Sequence, residues 1–176
     1  ARQASATIPI VVPTMQDPVR DGLVASLARP GGNVTGLTFL GAELLPKHLE
    51  LLKEAIPGVA RVAILWHPGG VSELGGPEMV KQTEAAARRL GVQVHVVRVA
   101  AASDLDNAFS TVGRWRADAF LPLPSPMLLA ERNRIVDLAA RHRRPAMYNA
   151  REFVDLGGLM SYGASVPDIL RRAATY

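Results

Sequence analysis

The chain of 176 residues contains no cysteine. Disulfides, thiolate metal sites and cysteine nucleophiles are excluded, and with them racemase chemistry that runs on a cysteine pair. Aromatic residues make up only 5% of the chain, so its core must be built mainly from aliphatic side chains. No apolar run approaches the ~20 residues that a membrane-spanning helix needs. The stretch "ARQASATIPIV" carries no signal-type apolar segment ahead of the first expected strand. Two nucleotide signatures are missing as well. Neither GxxxxGK[ST], which cradles phosphate with backbone amides and a lysine, nor the dinucleotide GxGxxG occurs. The histidines show no metal-ligand spacing, and no metal or cofactor is expected.

What is present reads as an alternation. Ile8–Val12 ("IPIVV") is a short apolar run that predicts a strand buried on both faces, as in a parallel sheet. Asp17 followed by Pro18 predicts a capped helix with Val19, Leu23 and Leu27 on its apolar stripe, stopped by Pro30 and Gly31–Gly32. A strand over Val34–Phe39 follows. Leu44, Leu51, Leu52 and Ile56 mark a long amphipathic helix, and Arg61–Trp66 is the next strand. Helix Pro77–Leu90, strand Val92–Val99, a helix to Arg114 with Ser103 and Asp106 as a capping box, and strand Ala117–Leu121 continue the pattern. Helix Leu128–His142, strand Pro145–Tyr148, a short helix Arg151–Leu156, a strand in "GGLMSYG" and a helix from Pro167 to Tyr176 complete it. Parallel neighbours need a helical crossover, so the expected fold class is α/β with a doubly wound parallel sheet.

In such sheets ligands bind beyond the carboxyl ends of the strands. The loops there carry Thr14, Gln16, Thr38, His67, Ser125, Tyr148, Asn149, Ser161 and Tyr162, a set of neutral donors, acceptors and rings. That set suits reversible binding of a small polar molecule better than catalysis. A hydrolase would have to assemble Ser125, His67 and Asp17 from separate loops without a GxSxG elbow. Asp17 reads better as a helix cap. The glycine-rich "HPGGVSELGG" lacks phosphate-loop spacing and reads as a flexible ligand loop. The Asn33-Val34-Thr35 sequon is assigned no role. The net charge is only +4, and the basic clusters at Arg88–Arg89 and Arg141–Arg144 close expected helices, where cations complement the dipole, so no nucleic-acid partner is expected.

The segments "DPVRDGLVASLARPGGNVTGL", "HLELLKEAIPGVARVAILWHP", "QTEAAARRLGV", "RIVDLAARHRRPAMY" and "REFVDLGGLMSYG" together resemble the ABC transporter substrate-binding proteins, the family that includes tryptophan-binding and related periplasmic binding proteins. The resemblance covers nearly the whole chain. It implies a type I periplasmic-binding-protein-like fold with one complete lobe and part of the other. Residues 1–40 would be the C-terminal part of the first lobe, 41–156 the complete second lobe, and 157–176 the return crossover and helix of the first. It further implies a solute-binding component of an ABC importer, with no catalytic step, that holds a small polar molecule, such as an amino acid, in an interlobe cleft. Its partner would be a membrane permease and its location periplasmic or extracytoplasmic, with the signal sequence outside this chain.

The family's cleft positions fall on Thr14, Gln16 and Asp17 in the first lobe, His67, Ser125 and Tyr148 in the second, and Ser161 and Tyr162 at the return crossover. Two of them depart from the usual pattern. Family members commonly have Asn where His67 precedes Pro68, and often Asp where Ser125 stands between prolines. A ligand-sensing domain of a regulator or receptor shares the architecture and is the second reading; an α/β enzyme is the third. The first lobe is incomplete on this reading, so its exposed edge and helix faces are expected to pair with a second copy of the chain.

Overall fold

The computed structural model describes residues 7–15, 17–38, 41–69 and 75–175. The chain divides into two compact units, Ala1–Leu40 with Ala164–Tyr176, and Gly41–Gly163. Residues 157–163, expected with the returning segment, thus fall in the second unit.

The second unit is a parallel sheet wound on both sides. Helix α1 (Gly41–Ala55) leads into β3 (Arg61–Trp66), the third strand of the chain, after which α2 (Gly75–Leu90) crosses to β4 (Gln93–Arg98). A single 3₁₀ turn and α3 (Leu105–Arg114) return to β5 (Ala119–Pro122), and α4 (Pro126–Ala130) with α5 (Arg132–Arg141) lead to β6 (Met147–Tyr148). The short α6 (Arg151–Val154) then reaches β7 (Met160–Ser161). Strands β4, β3 and β5 pair side by side in parallel, as do β6 and β7, and a parallel bridge from Phe120 to Ala146 joins the two groups. The spatial order is therefore 4-3-5-6-7.

Strand periodicity decides which side chains reach which face. Val62, Ile64, Ala119, Leu121 and Met147 pack against Leu45, Leu49 and Leu52 of α1 and Met79, Ala86 and Ala87 of α2. Ala63, Leu65, Val97, Phe120 and Tyr148 point the other way, onto α3, α5 and α6 through Leu105, Phe109, Val112, Ile135, Leu138 and Phe153. Both faces are covered, so the strands read as continuous apolar runs. Crossovers of one hand that travel in opposite directions place their helices on opposite faces, which explains this division.

Several local expectations are corrected. Of the expected α1 stripe of Leu44, Leu51, Leu52 and Ile56, Leu52 is fully buried while Leu51 and Ile56 pack half-buried against the core, and the stripe's other buried members are Leu45 and Leu49. The capping group ahead of α3 is Asp104, whose carboxylate accepts from the Ala100 and Ala101 amides at 2.9 and 3.0 Å. Asp106, expected in a capping box with Ser103, pairs with Arg134. The single helix expected over Leu128–His142 is two, broken at Glu131.

The first unit contains β1 (Ile10–Met15), β2 (Val34–Thr38) and α7 (Val166–Ala173). The strands pair in parallel, Ile10 opposite Val34. β1 starts later than expected and is not buried on both faces, since Val11 is exposed. The predicted helix after Asp17 is a run of turns instead. Its first turn closes with the Asp21 amide donating to the Asp17 carbonyl, but Gly22 at φ +65° ends it, because that conformation cannot continue a right-handed helix. Met15, Val24 and Val34 form a small core, while Ile8, Val11, Val19, Leu27 and Leu170 are exposed.

Phe120 is fully buried in the central sheet, edge-on to both Phe109 and Tyr148 at 5.1 and 6.0 Å between ring centres. Phe120→Ala should cost about 3–5 kcal/mol, read as a lower urea midpoint with little change in slope. A loss below about 1 kcal/mol would show that this interior repacks around the void.

Candidate functional site

All strands of the second unit run parallel, so their carboxyl ends share one edge of the sheet. That edge carries His67 after β3, Ser125 after β5, Tyr148 and Asn149 at the end of β6, and Ser161 and Tyr162 at the end of β7. The strand order reverses between β3 and β5: from β3 the chain moves outward to β4, then crosses back to β5. His67 and Ser125 lie at this switch point, where the ligand crevice of an open α/β sheet is found. Their side chains meet, with His67 Nδ1 2.9 Å from Ser125 Oγ.

Ser125 does two things at once. Extended backbone (φ −161°, ψ 135°) and Pro126 at the first helical position make it the N-cap of α4, and its Oγ accepts from the Leu128 amide at 3.4 Å. It is only 8% exposed. The imidazole contact alone would suit a nucleophile, but the hydroxyl is buried, caps α4, and touches a histidine with no carboxylate among its described hydrogen-bond partners. Asp17, the third member of the hydrolase reading, accepts from the Arg20 amide at 2.9 Å and lies 3.5 Å from its guanidinium, which is local turn chemistry.

Tyr148 lies at the end of β6. It is 1% exposed and its ring stacks on Phe153 at 4.5 Å, so it is a core ring rather than a face offered at the edge. Burial pushes its phenol well above the usual range. Gly158 makes that stack feasible, since a β-carbon there would meet the Tyr148 ring at 2.6 Å. Gly163 works in the same way against the carbonyl of Asn149. Ser161 lies opposite Tyr148 in the β6–β7 register, and Tyr162 is 44% exposed. In the first unit Thr14 lies within β1, Gln16 is outside the described residues, and Thr38 ends β2. Thr38 lines a cavity of about 340 Å³ together with Met15, Ser26, Thr35 and Leu37. Among the described residues no cluster of three His, Asp or Glu could hold a metal. No described helix is long and apolar enough to cross a membrane.

His48 belongs to no sequence motif, although its spacing from Leu45, Leu49 and Leu52 puts it on the apolar face of α1. It is 1% exposed, and its Nε2 bonds the Tyr162 carbonyl beside the end of β7. A carbonyl only accepts, so Nε2 must carry the proton, and Nδ1 is a buried acceptor with no partner among the described residues. Desolvation lowers its pKa from 6.5, outweighing the bond to the Tyr162 carbonyl.

Against known proteins, a family model described as ABC transporter substrate binding protein matches residues 1–176. The chain belongs to this family. A curated relative, the tyrosine-binding protein of Clostridioides difficile, is 28% identical over 166 residues, which is 93% of this chain and 46% of that protein. A conserved domain protein from Vibrio cholerae superposes with a TM-score of 0.86 at 26% identity, covering 99% of this chain and 57% of that one. The substrate-binding fold also recurs in a streptococcal ABC domain crystallised with L-Trp, with a TM-score of 0.80, 24% identity, and 95% and 55% coverage. The chain spans about half the length of these proteins. The likeness confirms the parallel α/β architecture with a partial lobe, and the family is one of binding proteins rather than enzymes.

His48 gives the second unit a pH dependence of definite sign. The unfolded chain binds a proton near pH 6.5, and the native state does so only at lower pH. The stabilisation is thus complete above that value and is lost as pH falls through the window down to the native pKa. Urea unfolding from about pH 7.5 to 5 should show a steeper loss for the native chain than for His48→Gln. Parallel curves would mean that the imidazole does not resist protonation.

Proposed function

We propose that this chain is the solute-binding part of an ABC importer, holding a small polar solute in a cleft between two lobes and presenting it to a membrane permease outside the cytoplasm. The observation that carries this reading is the His67–Ser125 pair at the switch point of a sheet whose family is one of substrate-binding proteins. The carboxyl edge offers neutral hydrogen-bonding groups rather than an activated nucleophile, which supports binding and release over chemistry. Family membership favours transport over the sensor-domain reading. The tyrosine-binding relative points to an aromatic amino acid as the first solute class to test.

A thermal-shift screen of the chain against amino acids, nucleosides and small carboxylic acids tests this. A solute at a hundredfold excess over its Kd contributes about 2.7 kcal/mol, which for a chain of this size raises Tm by roughly 5–10 °C. Selective stabilisation that disappears in His67→Ala supports the reading. Stabilisation indifferent to that change would move the site elsewhere, and the absence of any shift across the panel would remove the solute-binding role from this chain.

A further inference from the structure

We infer that Ser125 is a positioning residue that holds the His67 imidazole in its Nε2–H form, so that the switch point offers a hydrogen-bond donor and selects solutes carrying an oxygen acceptor, a carboxylate above all. The solute half of this inference rests on the binding role proposed above; the Ser125 half does not.

The argument is a count of hydrogens. Ser125 Oγ has one proton to give and two lone pairs. One lone pair accepts from the Leu128 amide, and the only other side-chain partner among the described residues is His67 Nδ1. If Nδ1 carried a proton and donated it, Oγ would accept twice, and its own hydrogen would be stranded at a site that is 8% exposed. A stranded buried donor is costly, whereas the reverse arrangement strands nothing. The hydroxyl therefore donates to Nδ1, and the imidazole proton resides on Nε2.

The rest of the site agrees. Nε2 has no partner among the described residues, and the ring is only half-buried. The Cε1–Nε2 edge lies under Gly69, where a β-carbon would come within 3.1 Å of Cε1 and 3.3 Å of Nε2. A glycine at this place keeps a side chain off the donor edge. The described groups that Ser125 and His67 touch include no carboxylate, so nothing in the pair competes with an anionic oxygen for the Nε2 proton.

The test has two readouts. Imidazole ¹⁵N spectra of the chain at about pH 8, where a histidine is neutral, should show His67 as the Nε2–H tautomer. Ser125→Ala should lose that preference and Ser125→Thr, which keeps the hydroxyl, should retain it; an Nδ1–H tautomer in the native chain, or a Ser125→Ala spectrum identical to it, overturns the inference. Binding is then compared for L-tyrosine, tyramine and 3-(4-hydroxyphenyl)propanoate, which share a ring and differ in their charged groups. Tyramine, without a carboxylate, should bind roughly ten- to hundredfold more weakly than the other two, and His67→Ala should erase the difference. Equal binding of tyramine and tyrosine overturns the selection of acceptors. If none of the three binds, the aromatic amino-acid reading fails, and the spectra alone decide the role of Ser125.

Discussion

Everything in the second unit depends on burying both faces of one parallel sheet. A strand with apolar side chains on both sides must be roofed twice, and parallel neighbours demand crossovers long enough to do it. Val62 and Ile64 meet α1 and α2 while Ala63 and Leu65 meet the opposite helices, so one short strand ties the two cores together. At about 1.5–3 kcal/mol for each large aliphatic side chain removed from water, that alternation outweighs any single polar contact in the unit. Its geometric by-product is functional. All carboxyl ends share one edge, and the reversal after β4 opens that edge between β3 and β5.

The two histidines that meet polar partners show how the same side chain is given opposite tasks by its surroundings. His48 faces a carbonyl and is sunk in aliphatic packing; its proton must sit on Nε2, and its Nδ1 is left without a partner. Such an orphan acceptor costs stability when the ring is neutral and far more once it is protonated. His67 faces a hydroxyl at the rim, and its second nitrogen lies beside Gly69, with no partner among the described residues. One ring fastens the end of β7 to α1, and the other joins the ends of β3 and β5 at the switch point.

Much of this was legible in the residues. Arg61–Trp66 is a strand with the bounds its apolar run predicts, and the helix from Pro77 ends at Leu90 because Gly91 follows. His67 and Ser125 could be nominated from their places after two strands. Their contact could not, because sequence order does not say that β5 lies beside β3. The run after Asp17 misled for a physical reason: a cap, a proline and a helical stripe are local signals, and Gly22 in the left-handed region overrides them. Tyr148 could be nominated in the same way, but its stack on Phe153 could not, because the spacing of β6 and α6 does not say that their rings meet. His48 was hidden by type, since a polar residue on an apolar stripe is read as a helix-face exception until its partner, far along the chain, comes into view.

The two units differ in what they can hold rigid. A pair of strands with a three-residue buried cluster is marginal by itself, whereas the second unit carries two aliphatic layers across its sheet. On the proposed reading, a donor on the better-packed unit would lose little rotamer freedom to a solute, because the contact with Ser125 already restrains the His67 ring. A donor on a loosely packed segment would have to be ordered at the solute's expense. On the binding role proposed above, the switch-point pair sits on the unit best packed to hold it still.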